Sequence, residues 1–255
     1  MIDIHCHILP GIDDGAATLD DSINMAKEAA EQGITKIAAT PHHKSTHFDN
    51  YGQDIIGMVA YLNGKLQEQN IPVEILPGQE TRVYGEMVED LKKGEVIPIN
   101  GTQYVLVEFP HNHVPNYARQ LLFDLQIAGY KPVIVHPERN TELQENTDKL
   151  YRMVKSGALT QITAGSLLGK TGKRVQKFAD QLVEANLTHF IASDAHDIKK
   201  RTFHMREAFG YIRKQYGKAF AYQLMENNEL LILGHTVNKD LPERIAHKKK
   251  WSIFG

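Results

Sequence analysis

Apolar positions along the chain change period again and again. Short β-rich runs cover 1–7 (MIDIHCH), 34–40 (ITKIAAT), 72–78 (PVEILPG), 103–108 (QYVLVE), 131–136 (KPVIVH), 159–164 (LTQITA) and 188–193 (THFIAS). Between them lie stretches of helical period near 19–32, 53–69, 85–92, 116–128, 143–156, 170–186 and 203–227. The first helix carries its own start and stop: Thr18 or Asp20 stands ahead of an Ala-rich amphipathic run, and Gly33 follows it. Seven such units predict a parallel sheet with helices outside it. Periodicity alone does not choose between a closed barrel and an open doubly wound sheet. Beyond about residue 236 the alternation is lost, and the closing HKKKWSIFG reads as a solvated tail on a single domain spanning 1–255.

Composition narrows the function. With 42% of 255 residues hydrophobic, the chain can bury one large core. Its 29 Lys+Arg balance 31 Asp+Glu, which argues against a protein that coats nucleic acid. Cys6 is the single cysteine, so neither an intramolecular disulfide framework nor a four-cysteine zinc site is available. The opening MIDIHCHILP has no basic leader region, and no apolar run approaches the roughly 18 residues of a membrane span, so a cytoplasmic location is expected. Thirteen histidines are the unusual feature, because imidazole is both a metal ligand and a proton carrier near neutral pH.

These histidines gather at strand ends. By simple alternation Asp3, His5 and His7 face one way, while Ile2, Ile4 and Cys6 face the other, so His5 and His7 can chelate one ion. Later strands end in Thr40-Pro41-His42-His43, Gly78-Gln79-Glu80, Val107-Glu108-Phe109, His136-Pro137-Glu138-Arg139 and Ser193-Asp194-Ala195-His196. Parallel α/β folds place ligand and catalytic groups at that C-terminal edge. The candidate ligands are therefore His5, His7, His42, Glu80, Glu108, His136, Asp194 and His196. His43, His47, His111, His113, His189, His204, His235 and His247 read instead as ordinary structural or loop histidines. Eight nitrogen and oxygen donors are too many for one tetrahedral zinc and suit a cluster of Mn, Zn or Fe. Two or three divalent ions among three carboxylates leave a net charge of about +1 to +3, suited to a phosphate dianion and an activated hydroxide.

DIHCHILPGIDDG, ATPHH, PGQE, VEFP, HPERN, AGSLLG and SDAH, in that order, resemble the PHP metallophosphoesterases. Within that superfamily the chain is most similar to the manganese-dependent protein-tyrosine phosphatases of Gram-positive bacteria, the CpsB/YwqE type. The resemblance implies a distorted (β/α)7 TIM-like barrel, a centre of two or three Mn2+ ions, and hydrolysis of phosphotyrosine on bacterial tyrosine kinases and their substrates in capsule or exopolysaccharide regulation. It further implies that His5, His7, Glu108 and Asp194 hold one ion, Glu80, Glu108 and His136 a second, and His42, Glu80 and His196 a third. Arg139 and Arg201 match the phosphate-contacting arginines, and Asp14 is a candidate to orient a ligand or protonate the leaving group. Phe48, Tyr51 and Phe109 lie where aromatic faces can meet a phenyl ring.

The rival readings differ in chemistry. A cysteine-dependent tyrosine phosphatase needs an Arg six residues after its Cys, and position 12 is Ile12. A histidinol-phosphate phosphatase keeps the site and changes the substrate. A regulatory metal-binding module without turnover would be favoured by lost ligands, yet all eight positions are filled. A proofreading domain would require an attached polymerase.

Overall fold

A computed structural model describes residues 1–245; His247 and the Lys run of the tail lie outside them. All seven predicted strands are present: β1 (Ile2–Cys6), β2 (Lys36–Ala39), β4 (Glu74–Pro77), β6 (Tyr104–Glu108), β7 (Lys131–Val135), β8 (Leu159–Thr163) and β9 (Phe190–Ala192). Two short strands, β3 (His42–His43) and β5 (Glu80–Arg82), continue β2 and β4 after a break. Every pairing is parallel. Hydrogen bonds arrange β1-β2-β4 in one sheet and β3-β5-β6-β7-β8-β9 in another. The segment after β9 returns to β1 through Asp194 N–H to the His5 carbonyl and His7 N–H to the Ala195 carbonyl, each 2.9 Å. Seven staves thus follow one another in chain order and come back to the first.

The two breaks have a steric cause. Pro41 offers no amide to a ladder, and a Cβ on Gly78 would lie 2.5 Å from Ile99 Cδ1. The chain shifts at these points and then resumes pairing, so that His42 lies in register with Glu80 and Arg82 with Glu108. The sequence pattern missed β3 and β5 because Pro and Gly there read as strand ends.

Ten helices are described: α1 (Leu19–Glu31), α2 (Gly52–Glu68), α3 (Met87–Lys93), α4 (Ala118–Ile127), α5 (Thr141–Glu145), α6 (Thr147–Lys155), α7 (Ala164–Leu167), α8 (Lys173–Glu184), α9 (Met205–Gln215) and α10 (Lys218–Ile232). Thr18 caps α1 in a reciprocal box with Asp21, and Gly33 ends it at φ +81°. Two predicted helices are each split. Asn146 separates α5 from α6, and Gly217, at φ +95°, separates α9 from α10.

Strand residues sort into two apolar layers. Ile37, Ile75, Val105, Val107, Ile134, Ile162 and Ile191 pack outward with the helices. Ile4, Ala38, Leu76, Leu106, Val133, Leu159 and Phe190 fill the inside with Leu231 and Ile232 of α10. β1 departs from simple alternation. Ile2 and Ile4 join the inner layer but Cys6 the outer one, because the register slips by one residue between Asp3 and Cys6. Ile4 and Cys6 therefore do not share a face, whereas His5 and His7 still reach one site.

Near the N-terminal end of β1 and β9, Asn228 of α10 joins the two strands. Its buried amide donates to the carbonyls of Ile2 (2.8 Å) and Ile191 (2.9 Å). Replacing Asn228 with Ala leaves two buried acceptors without a donor, and should lower unfolding stability by about 2–4 kcal/mol in urea titration. An unchanged midpoint would mean that α10 does not tie the ring together.

Candidate metal centre

All eight predicted ligands meet at the C-terminal ends of the strands. Asp194 and His136 hold left-handed backbone conformations at φ +54° and +34°, which are strained for residues other than glycine. That strain turns both side chains inward where the strands stop.

Tautomers follow from the partners of each ring. The Gln161 amide donates to the Ile162 carbonyl (2.9 Å), so its oxygen faces His5 Nδ1 at 2.9 Å. Asp13 Oδ2 lies 2.6 Å from His7 Nδ1, and the Asp194 carbonyl 3.0 Å from His196 Nδ1. Each partner is an acceptor, so all three rings donate from Nδ1 and present Nε2 to the centre. There the Nε2 atoms of His5 and His7 stand 3.3 Å apart. With their Nδ1 atoms engaged, two ring nitrogens at that distance are placed to chelate one cation.

The carboxylates complete the arrangement. Glu80 is fully buried; Oε2 lies 2.9 Å from His42 Nδ1, 3.4 Å from His5 Nε2 and 3.3 Å from His7 Nε2, while Oε1 lies 2.7 Å from His136 Nε2. Glu80 Oε2, His42 Nδ1 and His196 Nε2 are buried without a hydrogen bond of good geometry, as suits atoms that hold a metal. Donor atoms cluster in overlapping sets among the described residues: His7, Asp14, His42 and His196; His5, His7 and Glu80; His42, Glu80 and Glu108. Asp194 Oδ1 is 3.5 Å from His5 Nε2 and 3.3 Å from His7 Nε2. Glu80, rather than Glu108, stands beside His5 and His7, and Asp14 joins the donors around His42. Glu108 is instead held by Arg82 at 2.9 and 3.1 Å. Mixed imidazole and carboxylate donors in overlapping sets fit a cluster of divalent ions.

Both arginines lie on the rim. Arg139 Nη1 and Arg201 Nη2 donate to the same oxygen, Asp194 Oδ2, at 2.5 and 3.0 Å. Arg139 is also held by Thr163 Oγ1 at 3.1 Å, and buried Glu138 accepts from the same hydroxyl. Burial would raise the Asp194 carboxyl, but Arg139 beside it holds it well below the usual range. Burial likewise works against ionisation of Asp14, yet His196 and His42 hold it ionised. An ionised Asp14 can bind a cation or orient a ligand, and is poorly suited to protonating a leaving group. Phe48 stacks nearly parallel to His42, at 8° and 6.1 Å. Tyr51 packs on His43 instead, and Phe109 is buried in the outer core. Of the remaining histidines, His189 is buried against Thr160, and His111 and His204 border a cavity beside Arg139.

Asp13, Gln161, Thr163, Glu138 and Arg82 were not singled out by the sequence. Gln161 carries a detectable signal, a lone amide on the inward face between Leu159 and Thr163. Nothing in IDDG distinguishes Asp13 from Asp14. Gly15 follows because a Cβ there would lie 2.0 Å from the His7 carbonyl oxygen, so the loop can fold back onto His7 only with glycine at that position.

Residues 1–234 match the family model described as capsular polysaccharide synthesis, CpsB/CapC. The chain belongs to the CpsB/CapC family. It is 49% identical over 254 residues to the tyrosine-protein phosphatase YwqE of Bacillus subtilis, covering all of both chains. It is 30% identical over 243 residues to the tyrosine-protein phosphatase CpsB of Streptococcus agalactiae, covering 93% of this chain and all of that one. It also matches, at TM-score 0.95 and 49% identity, a solved structure covering 97% of this chain and all of the other. That work describes YwqE from Bacillus subtilis and CpsB from Streptococcus pneumoniae as metal-dependent tyrosine phosphatases. The CpsB/CapC match ends at residue 234, two residues past α10, and so takes in every donor named above. No described helix of this family member is long and apolar enough to cross a membrane.

Two expectations follow for the CpsB/CapC site. Asp13→Ala frees the His7 ring and should weaken metal binding about 10–100-fold, read by titrating a chelated sample; unchanged affinity would remove Asp13 from its orienting role. Metal binding should also release protons at pH 7. Burial opposes the charged form of His42, yet Glu80 beside it raises the imidazole to about 10. Ligation needs the neutral ring, so affinity should climb from pH 6 to 8. Calorimetry in buffers of unequal ionisation heat checks this, and binding without net proton release would contradict it.

Proposed function

We propose that the chain is a metal-dependent protein-tyrosine phosphatase acting on tyrosine-phosphorylated proteins, especially a bacterial tyrosine kinase and its substrates. The observation that carries this reading is the trio of imidazoles with Nδ1 engaged, the Nε2 atoms of His5 and His7 turned toward Glu80 and that of His196 toward Asp14, beside two arginines. Its CpsB/CapC relatives bear that activity in their names. We assign His5, His7, His42, Glu80, Glu108, His136, Asp194 and His196, with Asp14, as ligands of a cluster of two or three ions. Manganese is the metal that the family resemblance favours, and the donor set would also accept Zn or Fe. We place the protein in the cytoplasm, where ATP-dependent tyrosine phosphorylation occurs, and treat the chain as one catalytic domain.

Bound divalent ions supply a water-derived nucleophile at neutral pH and offset charge on the phosphoryl oxygens. The chain's own groups orient the substrate. Arg139 and Arg201 reach one point on the rim from two side chains, and there bind and align the oxygens of a phosphoryl group. Thr163 and Glu138 hold Arg139 in place for that task. A phenolate leaves with a conjugate-acid pKa of about 10, so an ionised Asp14 is no obstacle. The Phe48 ring beside His42 offers a face for the substrate phenyl group.

The test is phosphate release from a phosphotyrosine peptide, a phosphoserine peptide and histidinol phosphate, with manganese and after chelation. Arg139→Ala should keep the metals and lose about two to three powers of ten in rate, while Cys6→Ala stays active as a control on the same strand. A preference of about tenfold or more in kcat/KM for histidinol phosphate would overturn the substrate assignment.

A further inference from the structure

Beside Asp194 and the two arginines lies a cavity of about 330 Å³. Its walls come from the segments after β6, β7, β8 and β9, and include His111, Arg139, Lys170, Thr171, Lys200 and Arg201. Four of these are permanent cations, and the lining holds one carboxylate, Asp194. That carboxylate is already shared by Arg139 and Arg201, and Arg201 also meets Asp14. Neither Lys170 nor Lys200 is paired with a carboxylate among the described residues. Asp197 accepts from the backbone amides of Lys199 and Lys200, at 2.5 and 2.6 Å, which fixes the turn carrying Lys200 and leaves its side chain free.

Charge and shape together suggest an occupant. One phosphoryl dianion at the metal centre is matched by the ions and the two arginines, which leaves both lysines in excess. The ring of the reacting phosphotyrosine is better matched elsewhere, since Val175 is the one large apolar side chain in the lining, whereas the Phe48 face lies beside His42; the cavity suits an anionic end group. Taking the phosphatase reading above as its basis, we propose that this cavity binds a second anionic side chain of the substrate segment, within a few residues of the phosphotyrosine. A carboxylate and a phosphorylated side chain share the required chemistry. The protein would then prefer segments rich in acid or phosphorylated more than once, with Lys170 and Lys200 setting specificity without touching the reacting atoms.

The experiment uses the metal-loaded full chain and five substrates: p-nitrophenyl phosphate, a phosphotyrosine peptide with neutral flanks, the same peptide with Glu on one flank or on the other, and a peptide carrying a second phosphotyrosine. An acidic or doubly phosphorylated peptide should exceed the neutral one in kcat/KM by about fivefold or more, as expected of exposed charge pairs. The margin should shrink in high salt. Lys170→Ala with Lys200→Ala should erase the margin and leave p-nitrophenyl phosphate and the neutral peptide unaffected. Gain with Glu identifies a carboxylate as sufficient; gain with the second phosphotyrosine alone identifies phosphate. Equal turnover of all peptides by the parent, or a margin that survives the double substitution, overturns the proposal while the phosphatase reading stands. No turnover of any substrate overturns both. If the double variant does not fold, the single Lys170→Gln and Lys200→Gln variants and the salt dependence of the parent decide.

Discussion

Glu80 has no exposed surface, and its two oxygens meet four imidazoles: His136 on one side, and His42, His5 and His7 on the other. Isolating a carboxylate from water costs several kcal/mol unless opposite charge compensates it. Burial alone would drive this carboxyl to protonate, yet His42 and His5 hold it well below the usual carboxylate range. The rest of the site is built around this buried anion. Its position is set by the shift between β4 and β5, which brings Glu80 into register with His42 rather than leaving it in a loop.

A single carboxylate cannot satisfy four rings, and the other inward acceptors stand no closer, Asp194 Oδ1 at 3.5 and 3.3 Å from His5 and His7 and Asp14 Oδ1 at 3.4 Å from His42. Gln161, Asp13 and the Asp194 carbonyl occupy the outer nitrogens of His5, His7 and His196. Burial and the nearby charge of His7 lower His196 to about 4, so this ring is already neutral, whereas His42 has a proton to lose. The site is therefore held together imperfectly by its own charges and is completed by cations. Positioning the ligands from the outside limits reorganisation when those cations bind.

Much of this was readable because the parallel α/β plan confines chemistry to one edge. Each of the eight candidate ligands ends a strand or follows one by a few residues, and the apolar runs before them are long enough to recognise. What could not be read depends on events smaller than an element. The extra residue between Asp3 and Cys6 reassigns Ile4 and Cys6 to different layers without altering the hydrophobic pattern. Strand resumption after Pro41 and Gly78 hides behind residues that ordinarily end strands. The choice of Asp13 over Asp14 as the partner of His7 is made by a loop held against the His7 backbone, which adjacent identical residues cannot reveal. Which donors lie together is likewise a matter of side-chain reach, and Glu80 stands nearer to His5 and His7 than Glu108 does.

Arg82 gives that difference a physical basis. It grips both oxygens of Glu108, and Arg82 and Glu108 are in register on β5 and β6. Burial, together with the charge of Glu80, raises the Glu108 carboxyl, so this group needs a cation more than its neighbours do. The guanidinium meets that need from the rim side. A carboxylate held in a fork has its plane and both oxygens fixed, whereas the two oxygens of Glu80 face different histidines. The same sheet register that brings His42 to Glu80 also brings Arg82 to Glu108, so the offsets at Pro41 and Gly78 together decide which carboxylate is held by a guanidinium and which by imidazoles.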